Sequence, residues 1–256
     1  MHTDQLCALK VVIRQTGDFR NLHAHAYRKI SEVATLLNGG SAHKRSLTDH
    51  WRLPKSESEG YTMPRRDTPL ISGEYYHVYN RGNNRQDIFF DRANYGFFLK
   101  QLRKYLIGAA AEPWVTIVAY CLMPNHFHLL VHLHDALFSR RMQHHAISYT
   151  RAINERYHRI GALYQGQFRA IHIDTNDYLL HLSRYIHLNP VTAHLVQRPE
   201  DWEYSSFREY IGLRQGTLVD PGIVLGQFRT AADYRQFVEA YRPEELAVIN
   251  HLVIEE

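Results

Sequence analysis

Two apolar runs held apart by three residues constrain this 256-residue chain more than any other feature. Trp114 to Leu122 and His126 to His134 each have the length and β-branched or aromatic content of a strand. Met123-Pro124-Asn125 between them leaves room only for a tight turn, so the pair must form an antiparallel hairpin. The second run alternates: Phe127, Leu129, Val131 and Leu133 face one way, and His126, His128, Leu130, His132 and His134 the other. One face is core and the other presents imidazole.

The flanking sequence extends the hairpin into a sheet. Tyr75-Tyr76-His77-Val78-Tyr79 is a β-rich run closed by the turn signal Asn80-Arg81-Gly82-Asn83-Asn84. Tyr95, Phe98, Leu99, Leu102 and Leu106 fall at helical spacing and predict a helix from about Arg92 to Leu106, ending near Gly108. After the hairpin come a long helix from about Leu137 to His158, Gly161, and a strand from Phe168 to Ile173. The order β-α-β-β-α-β predicts an α+β fold, the ferredoxin-like split arrangement of an antiparallel sheet with helices on one face. A further helix, about Asn176 to Leu188, is expected to stop at Pro190.

The domain reading follows from the same text. Residues 1–62 contain Gly39-Gly40-Ser41, the polar run Lys55 to Gly60 and one helical pattern from His25 to Leu37. They are expected to be a poorly ordered extension or a misassigned upstream segment, with Met63 serving well as a start. Residues 63–213 form the expected folded domain, and 214–256 a helical tail. Two cysteines are too few for a disulfide framework, and no apolar run approaches the roughly 18 residues needed to span a bilayer. The N-terminus shows no signal-peptide pattern, so the expectation is a cytoplasmic protein without a membrane partner.

Apolar residues at 45% and charged residues at 22% exclude a collagen-like chain and wholesale disorder. The net charge of +4 is unevenly spread: 17 basic against 13 acidic side chains in residues 63–213, and 4 against 7 in residues 214–256. Between residues 137 and 172 stand Arg140, Arg141, Arg151, Arg156, Arg159 and Arg169 against the single acid Glu155. Arginine's planar fork suits phosphate, so the run reads as an electropositive patch or, equally, as a solvated helix face. Tyr149, Tyr157 and Tyr164 in the same stretch suit base stacking, although Tyr149 and Tyr157 also fall at helical core spacing with Ile153 and Ile160, and for those two packing is the favoured reading. Arg81, beside the Gly82-Asn83-Asn84 turn, is a further candidate for contact with a nucleic-acid backbone.

His126 and His128, two apart on one strand face, stand roughly 7 Å apart at Cα, within reach of one ion. A pair alone is a weak site. The helix after Asn176 adds to it: Leu179, Leu182 and Ile186 form an apolar stripe, while Tyr178, His181, Tyr185 and Asn189 share the adjoining face. Tyr185 and Asn189, four apart, address one point in space. An amide oxygen from Asn189 would complete a His-His-Asn set suited to Mg²⁺ or Mn²⁺ rather than to structural zinc. Taken alone, Tyr185 among 17 tyrosines reads as a packing residue.

Met123-Pro124-Asn125-His126-Phe127-His128-Leu129-Leu130-Val131 resembles the His-hydrophobic-His motif of the HUH single-strand DNA endonucleases. Arg184-Tyr185-Ile186-His187-Leu188-Asn189-Pro190, followed by Trp202-Glu203-Tyr204-Ser205-Ser206, is similar to the single-tyrosine transposases of that superfamily, and most of all to the REP-associated tyrosine transposases. The resemblance covers about Pro64 to Gly212. It implies a divalent metal, Mg²⁺ or Mn²⁺, on His126, His128 and Asn189, and attack by Tyr185 on a scissile phosphate to leave a 5′-phosphotyrosine and a free 3′-hydroxyl. Single-stranded or hairpin DNA is the implied partner, with the protein acting as a monomer or a homodimer. His181, one turn before Tyr185, is a candidate base for the phenol, which is mostly protonated at pH 7. There are two rival readings: a nucleic-acid-binding protein on the same fold that does not cleave, and a metal-dependent phosphoester hydrolase whose nucleophile is bound water.

Overall fold

The computed structural model describes residues 69–108 and 113–241. The chain divides into two units, Met1–Met63 and Pro64–Glu256. The extension expected over residues 1–62, with its helical pattern, lies outside the described residues, as does the tail beyond residue 241.

Four strands form the sheet: β1 (Tyr75–Arg81), β2 (Val115–Met123), β3 (His126–Leu133) and β4 (Arg169–Ile173). Their spatial order is β2-β3-β1-β4, and every neighbouring pair is antiparallel. The hairpin closes with Met123 opposite His126, so the turn is the two residues Pro124 and Asn125. Helix α1 (Arg92–Leu102) connects β1 to β2 and α2 (Phe138–Arg156) connects β3 to β4. The β-α-β-β-α-β order read from the sequence is therefore present. A short π-helical stretch, Arg103–Ile107, extends α1 to Gly108, whose φ of 74° suits a residue without Cβ.

Both faces of the sheet are covered. Tyr76, Val78, Phe127, Leu129, Val131 and Leu133 share the first core with Phe98 and Leu102 of α1 and Phe138, Met142, Tyr149 and Ile153 of α2. Tyr149 packs as expected, its hydroxyl donating to the Ile88 carbonyl at 2.8 Å. On the opposite face, Leu130 and Ile173 join Ala119 and Cys121 beneath helix α3 (Asn176–Thr192), which buries Leu179, Leu182 and Ile186. Asp91 and Asn94 cap α1 reciprocally, and Thr175 caps α3 through the Tyr178 amide.

Helix α3 corrects one expectation: it does not stop before Pro190 but runs through it to Thr192. Proline removes one amide donor, but here that loss falls in the last helical turn. Ala193 N still donates to Asn189 O and Leu195 N to Pro190 O, both at 2.9 Å. Burial of Ile186, Asn189 and Pro190 outweighs the local preference, and the chain leaves the helix only near His194, at φ 56°.

The remaining helices, α4 (Phe207–Tyr210), α5 (Gly222–Leu225) and α6 (Ala231–Glu239), pack on the α3 side. Phe207, Tyr210, Val224, Tyr234 and Val238 belong to the second core, so residues 224–238 of the expected tail are built into it. The Trp202–Ser206 motif lies along the free edge of β2: Leu122 N donates to Tyr204 O and Ser206 N to Tyr120 O, each at 2.9 Å. Ser206 Oγ then meets His187 Nε2 at 2.9 Å, His187 Nδ1 meets Tyr234 Oη at 2.7 Å, and Tyr234 donates to Ser183 Oγ at 3.1 Å. This buried chain of hydrogen bonds fixes the rotation of α3 between the β2 edge and α6.

Burial holds His145 at a pKa of about 4 and His187 at about 3, so both are neutral in the folded protein. The unfolded chain takes up a proton on each near pH 6.5 while the folded one does not. Stability is therefore whole above pH 6.5 and falls as pH drops toward 4, by a few kcal/mol in order of magnitude. Thermal melting between pH 7 and pH 4.5 should show a steep acid-side loss, and a flat profile down to pH 5 would contradict this.

Candidate active site

The β1–β3 register builds the site. Arg81 stands opposite His126, and Tyr79 opposite His128, which brings His77 onto the same face diagonal to His128. His77 Nε2 lies 2.9 Å from His128 Nδ1. On the other side of the pair, His126 Nδ1 is 2.6 Å from Asn125 Oδ1, an amide oriented by its own donation to the Arg85 carbonyl at 3.2 Å. The His126 and His128 rings sit 4.9 Å apart, edge to face.

Helix α3 lays two of its residues over this pair. Asn189 Oδ1 is 3.3 Å from His126 Nε2, and Asn189 Nδ2 is 3.4 Å from His128 Nε2. The Tyr185 ring meets the His128 ring edge-on at 5.4 Å, and the His77 ring at 6.5 Å. His126, His128, Asn189 and Tyr185 are thus brought together, as their spacing on one strand and one helix required. Tyr185 is half-buried, and with His126, Asn125, Arg81, Arg85 and Leu195 it lines a cleft of about 310 Å³.

Burial pushes the His126 pKa down to about 4 and that of His128 well below the ordinary value, so both imidazoles are neutral, the form that binds metal. With Nδ1 of His126 donating to Asn125, its Nε2 carries the lone pair and faces the Asn189 carbonyl oxygen. Two acceptors facing each other repel, and a shared cation relieves that repulsion. His128 can likewise donate from Nδ1 to His77 and present Nε2. Two imidazole nitrogens and an amide oxygen therefore fit a divalent ion. Among the described residues there is no cluster of three or more His, Cys, Asp and Glu, and the amide is what completes this set.

The other expected residues are more dispersed. His181 Nδ1 lies 2.8 Å from Arg184 Nη2, and its ring meets Phe237 of α6. Arg81 reaches the cleft, with Nε 3.4 Å from Gln165 Oε1. Arg141 is built into the fold: it pairs with Asp135 at 2.6 Å and stacks 3.6 Å over Trp114. Arg156 pairs with Asp91 at 2.7 Å and Arg159 stacks on Phe90, whereas Arg140, Arg151 and Arg169 are exposed. The sequence reading missed His77 and Asn125. Alternation places His77 on the face of Tyr75 and Tyr79, but only the long-range register shows that this face carries the histidine pair.

The family model described as "Transposase IS200 like" matches residues 71–189, ending on Asn189. A Haemophilus influenzae protein assigned to the REP-associated tyrosine transposases is 33% identical over 102 residues, which cover 35% of this chain and 57% of that one. The chain thus spans little more than half the length of this curated relative. A solved structure of a REP-associated tyrosine transposase bound to a REP hairpin is 18% identical, with a TM-score of 0.49, over 62% of this chain and 98% of that one. Among the described residues no helix is long and apolar enough to cross a membrane.

Proposed function

We propose, from the premise that residues 71–189 form an IS200-like transposase domain, that this chain cleaves and rejoins single-stranded DNA through a 5′-phosphotyrosine at Tyr185. The observation that carries this reading is the Tyr185 ring against His128, on the helix that also sets Asn189 between His126 and His128. A nucleophile and a phosphate-orienting centre are thereby held on two rigid elements, at a cleft with Arg81 and Arg85 on its wall.

His126, His128 and Asn189 hold the divalent ion, Mg²⁺ or Mn²⁺. When bound there, such an ion supplies Lewis acidity toward a non-bridging oxygen of the scissile phosphate. Tyr185 Oη gives up its proton to solvent and attacks phosphorus; the bond from phosphorus to the 3′ oxygen breaks, and that oxygen takes up a proton from solvent and leaves as a 3′-hydroxyl. Attack by a 3′-hydroxyl on the phosphotyrosine reverses the step and returns the phenol. Arg81 and Arg85 grip the flanking phosphates, and the exposed Arg140, Arg151 and Arg169 extend the cationic surface for a hairpin partner. Asn125 and His77 hold the ligand rings in the tautomers the ion needs.

The polarity of attachment tests this directly. A hairpin oligonucleotide labelled at its 3′ end should leave its label on the protein in a denaturing gel, and the same strand labelled at its 5′ end should not. The reverse pattern would overturn the phosphotyrosine chemistry. Replacing His77 with Phe should weaken Mn²⁺ binding by roughly 10- to 100-fold, as loss of an outer-shell partner does, when read by titration calorimetry. Unchanged Mn²⁺ affinity would remove His77 from the metal centre.

A further inference from the structure

Helix α3 carries two interleaved pairs of residues. Tyr185 and Asn189, four apart, cover the histidine pair, while Ser183 and His187, four apart, meet Tyr234 of α6. At 100° per residue the second pair stands roughly 160° around the helix from the first, with Leu179, Leu182 and Ile186 between them. That apolar stripe drives α3 onto the sheet but sets its rotation only loosely, because the burial of apolar surface has no direction. Hydrogen bonds do have direction. Ser183, His187, Ser206 and Tyr234 are all 0% exposed, so solvent does not compete for the bonds among them.

Each bond in this tether is directed by its neighbours. Ser183 Oγ donates to the Leu180 carbonyl at 2.8 Å, so toward Tyr234 Oη, at 3.1 Å, it can only accept. Tyr234 has then spent its one hydrogen, and the 2.7 Å contact is a donation from His187 Nδ1 to Tyr234 Oη. Burial keeps His187 neutral, so its Nε2 accepts from Ser206 Oγ at 2.9 Å, a shorter contact than the 3.2 Å from that hydroxyl to the Tyr120 carbonyl. The Tyr120 amide donates to Ser206 Oγ at 2.9 Å and anchors the tether on β2. Turning α3 about its axis would break these bonds, and the same turn would carry Asn189 from the ring nitrogens it meets at 3.3 and 3.4 Å.

We infer that His187, Ser206 and Tyr234 are positioning residues for the cleavage reaction, holding α3 at the rotation that sets Tyr185 and Asn189 over His126 and His128. The inference rests on the single-strand-cleaving reading above. Ser206 and Tyr234 lie outside residues 71–189, so the nucleophile of the IS200-like domain is aligned by the chain that follows that domain. In-line attack is sensitive to such alignment, since a misplacement of about 1 Å costs on the order of 100-fold in rate.

Single-turnover adduct formation and hairpin affinity, measured on the full chain carrying Tyr234→Phe, Ser206→Ala or both, test the inference. Tyr210→Phe is the control: Tyr210 is as buried as Tyr234 and lies in the same core, but its hydroxyl donates to the Val118 carbonyl, outside the tether. Both Tyr→Phe proteins should show a lowered melting temperature and the hairpin affinity of the parent. At saturating hairpin, Tyr234→Phe should slow adduct formation by about 10- to 100-fold, whereas Tyr210→Phe should match the parent. Ser206→Ala should slow it as well, and the double substitution should be little slower than Tyr234→Phe alone, because either change opens the same tether. Equal rates for Tyr234→Phe and Tyr210→Phe, or losses that multiply in the double substitution, would reduce these bonds to ordinary packing and overturn the inference. A parent that forms no adduct overturns the cleavage reading instead, and Mn²⁺ affinity by calorimetry then decides the positioning role, because Asn189 rides on the same helix. Weaker Mn²⁺ binding in Tyr234→Phe than in Tyr210→Phe supports that role, and equal affinities overturn it.

Discussion

Tyr185→Phe should abolish the covalent joining of protein to cleaved strand, with a loss of at least about 10,000-fold, while hairpin binding stays nearly unchanged. Phe keeps the ring that meets His128 at 5.4 Å and removes only the oxygen. Folding and the packing of α3 are therefore preserved, and the measured loss belongs to chemistry. A hydrolase using bound water predicts the opposite, because its nucleophile is untouched and turnover survives. A binding protein that does not cleave predicts no adduct from the parent either. Single-turnover assays of Tyr185→Phe and parent protein on one hairpin separate all three readings.

The second large effect concerns the histidine pair. His126→Ala should reduce cleavage by about 1,000-fold or more, since under the proposed function it removes one of three donors to an ion that would polarise the phosphate. A chelator should produce the same loss in the parent, and added Mn²⁺ should restore it. The substituted protein should not be restored at any Mn²⁺ concentration that saturates the parent. His126 is buried and neutral, so its loss also leaves the Asn125 carbonyl oxygen without a partner and lowers the melting temperature. Hairpin affinity, measured beside cleavage, distinguishes the two consequences: a folded protein that binds but does not cleave has lost the metal centre. Activity that survives both the chelator and the substitution would remove metal from the account.

What the sequence made legible was whatever is written in local periodicity. The alternation from His126 to His134 fixed which residues face the site, and the 100° step along α3 placed Tyr185 and Asn189 on one surface before any sheet order was known. The β-α-β-β-α-β order followed from element spacing alone. What remained hidden depends on partners distant in the chain. His77 acquires meaning only from the β1–β3 register, which sets it diagonal to His128 across 51 residues. His187 reads as one more histidine until Tyr234 and Ser206 close on it from two directions. The Pro190 stop failed for a related reason: a local rule about one lost amide was outweighed by tertiary burial of the turn that contains it. The arginine run was visible as composition, but its division into Arg141, fixed on Asp135 and Trp114, and the exposed Arg140, Arg151 and Arg169 required side-chain geometry.

Which atom carries the phosphate after cleavage decides between the three readings. Cleavage of a hairpin oligonucleotide by the unsubstituted protein in Mn²⁺, followed by proteolysis and mass mapping of the adduct, should locate the nucleotide on the peptide containing Tyr185. A nucleotide found on any other tyrosine, or cleavage that leaves no protein-linked fragment, would contradict it.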